Sequence, residues 1–303
     1  MNIHGLSLGL PYDAPKASFR GALDTFTSNR LFAASLRRRL FTDHNPALGL
    51  FRVRRSSDDT TLLALPDATG EVINSTITGF TSSGNGFVTT WVDQSGNGNN
   101  QTQSLAAAQP QVVKNGTLVT VGGKPAMQGG RTSVGDPSDQ SRGVLFGSLP
   151  AYNGNTLSVY YHFAHGTYGN WFTGIVDAFF ALTKNSSDGG GAPGSYKLIR
   201  PPSSSNGLNL QSNYGALYLS AAMPTSGIIS VIWNGSTVTI RDGTNTTSAA
   251  WTTGFDINKL VICGNSIADD GTYTAAAKQV QEVVIYTSDQ TANDTAIRSA
   301  MLS

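Results

Sequence analysis

From Phe87 onward, apolar and polar residues alternate in short runs separated by Gly, Asn and Asp. In TLSVYYHF, Leu157, Val159, Tyr161 and Phe163 alternate with Ser158, Tyr160 and His162. A period of two puts the first set on one face of a strand and the second on the other. The run predicts a strand with one buried and one half-wet face. GIISVIWNGSTVTIRDG predicts a hairpin: residues 228–233 form one strand, Asn234-Gly235 a type I′ turn, and residues 237–241 the return. Asp242-Gly243 makes the next turn, and KLVICGN and QVQEVVIY add two more strands.

The N-terminal part is less regular. In SNRLFAASLRRRL, Phe32, Ala33, Leu36 and Leu40 share one side of a helix capped by Ser28 or Asn29 and running to about Leu40, with Arg37 and Arg38 turned off it. GLFRVRRSSDD predicts a strand ending in a turn, whereas GEVINSTITGF fits a short helix and a strand equally. At the C-terminus, Ala292, Ala296 and Ala300, with Ile297 and Met301 nearby, predict a short closing helix. Residues 1–20 have no period and read as an extended docking arm, with Ile3, Leu6, Leu8 and Leu10 as its apolar anchors. Residues 21–303 read as one domain. Frequent strands without a βα rhythm predict an all-β, two-sheet antiparallel β-sandwich of the jelly-roll kind, with an N-terminal arm and a few short helices.

Composition agrees with that pattern. Charged residues are 13% of the chain, against roughly 25% in ordinary globular domains, so long solvated helices are disfavoured. The net charge of +1 gives no bulk attraction to nucleic acid or to an anionic membrane. No apolar run is long enough for a transmembrane helix, so membrane insertion is not expected. The opening residues lack the basic start and apolar core of a signal peptide, and the expectation is a soluble, cytosolically made protein. Cys263 is the single cysteine; it cannot form an internal disulfide and reads as a small buried hydrophobe. Six arginines, Arg37, Arg38, Arg39, Arg52, Arg54 and Arg55, cluster near the N-terminus. They read as solvated side chains with local ion pairs to Asp58 and Asp59, or as a docking surface for an acidic partner.

Candidate chemistry centres on DQSGNGNN. Asp93, Ser95, Asn97 and Gly98 mimic the start of a calcium loop, but the twelfth position is Ser104 where a bidentate Glu is needed. Asp and Asn side chains cap their own backbone in tight corners, and glycines accept positive φ. Asp93, Ser95, Gly96, Asn97 and Gly98 therefore read as a structural corner, and no metal or cofactor is expected. A retaining glycosidase needs two carboxyl groups about 5–5.5 Å apart, yet the only glutamates, Glu71 and Glu282, lie far apart in sequence. Adjacent Asp269 and Asp270 point opposite ways in an extended chain. Glu282 shares a strand face with Val284 and Tyr286 and reads as a buried, paired carboxylate. His162 and His165, three apart on a strand, face opposite ways and do not form a metal pair. Tyr168 and Trp171, aromatic residues among glycines, are the candidate glycan contacts.

Four segments in order, LDTFTSNRLFAASLRRRL, FRVRRSSDD, NGFVTTWVDQSGNGNNQTQ and AQPQVVKNGTLVTVGGKPAMQ, resemble concanavalin A-like lectin/glucanase modules of bacteriophage virion proteins. They are also distantly similar to the catalytic domain of fungal α-L-arabinofuranosidase B enzymes, which share the DQSG-x-GN corner. ISVIWNGSTVTIRDG and VQEVVIY resemble the closing strands of laminin-G-like jelly rolls. The resemblance implies two sheets stacked about 10 Å apart and a virion context. It implies a tail-fibre or receptor-binding component that contacts other virion proteins and host surface glycans, with a homotrimer favoured. Capsid decoration is one alternative, and an arabinofuranosidase-like hydrolase a second. The arabinofuranosidase group carries an active-site disulfide between neighbouring cysteines, which Cys263 alone cannot form. With no paired glutamates either, the sequence-based expectation is that the protein is not an enzyme.

Overall fold

A computed structural model describes residues 19–129, 143–165, 177–184, 196–200, 208–212, 215–219, 226–243, 245–263 and 278–303. The arm anchors Ile3, Leu6, Leu8 and Leu10 lie outside them. The first stretch supplies β1 (Arg30–Ser35), β2 (Phe51–Arg55), β3 (Thr61–Ala64), the helix α1 (Asn74–Thr81) and β4 (Gly86–Trp91). Short strands follow: β5 (Gln101–Thr102), β6 (Gln111–Lys114), β7 (Thr117–Leu118), β8 (Thr120–Val121), β9 (Lys124–Pro125) and β10 (Met127–Gly129). The middle of the chain gives β11 (Leu145–Tyr152), β12 (Thr156–His165), β13 (Asp177–Thr183), β14 (Tyr196–Arg200), β15 (Leu208–Ser212) and β16 (Gly215–Leu219). It closes with β17 (Ser226–Asn234), β18 (Thr237–Asp242), β19 (Asn245–Ala250), β20 (Ile257–Ile262), β21 (Lys278–Tyr286) and the helix α2 (Asp294–Leu302).

These strands form an all-β, antiparallel sandwich. One layer runs β19–β18–β17–β12–β21. The other runs β16–β15–β14–β13–β20–β11. The path β11–β5–β4–β6–β10–β21 joins them, so the sheet curls back on itself. The inward face of β12, Leu157, Val159, Tyr161 and Phe163, lies in the main core. Aromatic rings bridge the layers: Phe179 stands 5.6 Å from Tyr161 and 5.3 Å from Phe163, and Tyr196 stands 5.5 Å from Trp233. Edge-to-face pairs of this kind contribute about 0.5–1.5 kcal/mol each beyond the area they bury.

The other face of β12 is not half-wet. Tyr160, with Ile228, Ile232, Val284 and Tyr286, forms a second core covered by Ile297 and Met301 of α2 and by Leu23, Leu40 and Phe41. Ser158 is buried too, donating to the carbonyl of Ser288 at 2.8 Å and accepting from the amide of Gln290 at 3.1 Å. Period-two alternation here separates two cores, not core from solvent.

The helix expected up to Leu40 is instead strand β1, paired with β21 from Arg30↔Tyr286 to Ser35↔Glu282. Phe32 and Ala34 face the main core and Ala33 the second core. A strand buried on both faces reads as a continuous apolar run, which helical spacing fits equally well. The ambiguous GEVINSTITGF segment contains α1, with Ile77 and Thr81 buried. The β17–β18 hairpin and the β20 and β21 strands form where predicted, but the turn differs. Gly235 has φ 95° and Ser236 has no positive φ, which suits a type II′ turn with Gly at the first central position. Asn234 stays in the strand, and its Oδ1 accepts from the amides of Ser236 and Thr237 at 3.1 and 2.8 Å. Among the described residues, no helix is long and apolar enough to cross a membrane.

Candidate functional site

The DQSGNGNN segment turns the chain from β4 into β5. Asp93 Oδ1 accepts from the amides of Ala33 (3.1 Å) and Ser95 (2.8 Å), and Oδ2 from Ser95 Oγ (2.8 Å) and the Asn99 amide (2.9 Å). Four donors match the roughly four lone-pair sites of a carboxylate, which leaves none for a cation. Asn97 Nδ2 donates to the carbonyls of Arg30 (2.8 Å) and Leu31 (3.2 Å). Gly96 and Gly98 take φ 91° and 74°, a region costly for residues with a Cβ. Gln94, fully buried, donates to the carbonyl of Arg38 at 3.1 Å and accepts from the Leu40 amide at 2.7 Å. The corner thus ties β1 and the chain after it to the end of β4. Among the described residues, no group of three or more His, Cys, Asp or Glu side chains is placed to hold a metal ion.

Beside this corner opens a cleft of about 390 Å³. Its floor is built by strand register. Phe146 of β11 pairs with Thr102 of β5 on one side and with Val261 of β20 on the other, and Ser148 pairs with Lys259. Residues two apart on a strand share a face, so Phe146, Ser148, Thr102 and Lys259 point the same way. The Phe146 ring rests partly exposed against Val144, Ala181 and Val261. Asn99 and Asn100 form the wall. The wall needs Gly147: a Cβ there would meet the Asn100 carbonyl oxygen at 2.5 Å and Gln101 Nε2 at 2.9 Å. Asn100 also holds the corner, its Oδ1 accepting from the Asp93 amide at 2.9 Å. The cleft therefore offers amides, two hydroxyls, an ammonium and one aromatic ring, and no carboxylate among its described lining residues.

A second polar cluster is sealed inside. Glu282 is fully buried, and its Oε1 accepts from Ser35 Oγ (3.0 Å) and Arg38 Nε (3.2 Å), with Arg37 Nε at 3.5 Å. His162 Nδ1 lies 4.0 Å from Oε2. Burial pushes the Glu282 carboxyl up, but His162, Arg38 and Arg37 outweigh it and hold it below its ordinary value. The predicted buried, paired carboxylate is present. The expectation that the arginine cluster is solvated does not hold for Arg37 and Arg38, which are buried against Glu282. Helical spacing puts them on a solvated face, but β1 ends at Ser35 and the chain beyond it carries both beneath the surface to Glu282. Arg38 also donates to the carbonyl of Ala300 at 2.5 Å, tying α2 to β21. Arg54 and Arg55 do pair locally, with Asp59 and Asp58, each at 2.5 Å. Cys263 is buried, as expected for a small hydrophobe.

Tyr168 and Trp171, the predicted glycan contacts, lie outside the described residues, as do Asp269 and Asp270. Sequence reasoning missed Phe146, Ser148 and Lys259, which no local motif marks, because sheet register alone brings them together.

No protein-family model matches the chain, and no curated protein matches it. Among solved structures, an arabinofuranosidase complexed with arabinofuranosyl-α-1,2-xylobiose overlays it with a TM-score of 0.65 at 18% identity, covering 92% of this chain and 64% of that one. A GH54 α-L-arabinofuranosidase soaked with a cyclic sulfate inhibitor overlays with a TM-score of 0.62 at 16% identity, over 93% and 64% of the two chains. A mutant GH54 α-L-arabinofuranosidase soaked with 4-nitrophenyl α-L-arabinofuranoside gives 0.65 and 17%, again over 93% and 64%. The chain thus spans less than two-thirds of the length of these proteins, 64%. The expectation that this protein is not an enzyme is corrected by these neighbours: arabinofuranosidase structures share its fold over 92–93% of the chain, so a lack of glutamate pairs and of a disulfide is no ground for excluding hydrolase chemistry. What the overlay establishes is the architecture alone, a β-sandwich shared with these arabinofuranosidases.

Proposed function

We propose that this protein binds carbohydrate in the cleft between Asn100 and Lys259, as a surface component of a bacteriophage virion. The observation that carries the carbohydrate reading is the cleft's chemistry. A partly exposed aromatic ring sits among amide and hydroxyl groups on a rigid sheet floor. The apolar C–H face of a sugar stacks on such a ring while its hydroxyls bond the surrounding amides, and a few placed polar groups fix orientation. The virion reading is supported by the resemblance of residues 22–128 to phage modules. In it the segment bearing Ile3, Leu6, Leu8 and Leu10 docks the sandwich on the particle as a homotrimer, and modest single-site affinity is multiplied by repetition.

The test is a glycan array followed by titration of the best ligands. Saturable binding abolished by Ser148→Trp, a substitution at an exposed position that fills the cleft, supports the proposal. Absence of any glycan binding overturns it. A second reading, hydrolysis of α-L-arabinofuranosides, is favoured by the overlay on arabinofuranosidases. Turnover of 4-nitrophenyl α-L-arabinofuranoside that disappears on replacing a single aspartate would establish it, and no turnover across a pH series would remove it.

A further inference from the structure

We infer that the cleft selects saccharides carrying a carboxylate; the inference rests on the carbohydrate reading above and adds its ligand class. Lys259 stands in β20 directly across from Ser148 of β11 and from Thr183 of β13. Its side chain lines the cleft and, among the described residues, has no ion-pair partner. Asp256, three residues before Lys259 in the sequence, is already paired with Lys184. Asn99, Asn100, Thr102 and Ser148 complete the polar lining with neutral groups. Among the described residues, the site therefore presents one positive charge with no carboxylate lining it, among neutral groups.

A neutral sugar seated on Phe146 would leave that ammonium half-desolvated against hydroxyl groups, a poor exchange for its water. A carboxylate at the same place makes a charge-assisted hydrogen bond, roughly twice as strong as a neutral one. Asn100, whose Oδ1 is held by the Asp93 amide, offers its side-chain N–H donors to the second oxygen. The ligand that uses every group of the cleft is thus an acidic saccharide, a uronic-acid-type unit stacked through its ring face on Phe146 with its carboxylate toward Lys259.

The experiment titrates the protein calorimetrically with short oligomers of galacturonate, glucuronate and mannuronate, each as free acid and as methyl ester, beside neutral xylo- and arabino-oligosaccharides. At least one free acid is expected to bind about tenfold more tightly than its ester, as one charge-assisted bond implies, and the difference should shrink with added salt. Lys259→Gln is expected to erase the acid-over-ester preference. Lys259 is half-exposed, so the variant should fold, and its thermal midpoint checks this. Equal binding of acid and ester, or a preference unchanged in Lys259→Gln, overturns the inference and leaves carbohydrate binding standing. No binding of any saccharide overturns both.

Discussion

Replacing Glu282 by Gln removes one charge from the sealed cluster while keeping its shape. Oε1 now accepts from Ser35 and Arg38 and faces Arg37 at 3.5 Å. In the variant two buried guanidinium groups face a neutral amide. Breaking a buried pair by removing one partner costs about 3–5 kcal/mol, because the surviving charge stays desolvated. Arg38 keeps its bond to the Ala300 carbonyl and is the more exposed of the two, so the lower end of that range is expected. At about 2–4 °C per kcal/mol, the midpoint should fall by roughly 6–12 °C. Urea unfolding followed by tryptophan fluorescence reads the loss directly, since Trp91 and Trp233 are buried in the main core. The pH dependence supplies an independent check. Glu282 is held below its ordinary value of 4.5, so the folded state releases its proton more readily than the unfolded chain. Its contribution is complete above pH 4.5 and is lost as the pH falls through the lower folded value. The parent should lose this increment on acidification and the variant should lack it. Stability within 1 kcal/mol of the parent at neutral pH, with an unchanged acid profile, would refute the reasoning.

Three further outcomes follow from the same structure. Asp93→Ala removes the acceptor for four donors in the corner; a destabilisation of at least about 1–3 kcal/mol is expected, and calorimetric unfolding measures it. Asp242 is buried, and that burial pushes its carboxyl above its ordinary value against contacts with Asn245 that pull it down. The folded state therefore holds its proton to higher pH than the unfolded chain, so Asp242 opposes folding increasingly as the pH rises above the ordinary carboxylate value; Asp242→Asn should be neutral or stabilising at pH 7, with the advantage gone below about pH 4 in paired denaturation curves. Gly147→Ala places a methyl group 2.5 Å from the Asn100 carbonyl; it should displace the cleft wall and weaken saccharide binding at least tenfold, with amide exchange localising the disturbance to residues 98–102.

Much of the sandwich is legible in the sequence because its strands announce themselves by period two. The β17–β18 hairpin, β20 and β21 were readable from alternation and turn residues alone. The burial of Glu282 was readable from its neighbours on one strand face. Strand β1 was not, because residues buried on both faces lose the alternation that marks a strand. Its partner β21 lies some 250 residues away, and only tertiary pairing decides between strand and helix. The cleft was illegible for a related reason. Thr102, Phe146 with Ser148, and Lys259 come from three distant segments and meet only through the register of β5, β11 and β20. The paucity of glutamate, by contrast, does not decide against an enzyme, since arabinofuranosidases share this fold at 16–18% identity, where motifs need not be visible.

The most direct measurement of the central claim is a crystal structure of the protein with a bound oligosaccharide. The account predicts a sugar ring stacked on Phe146, between Asn100 and Lys259. A sugar lodged elsewhere, or held between two converging carboxyl groups with the Phe146 cleft empty, would contradict it.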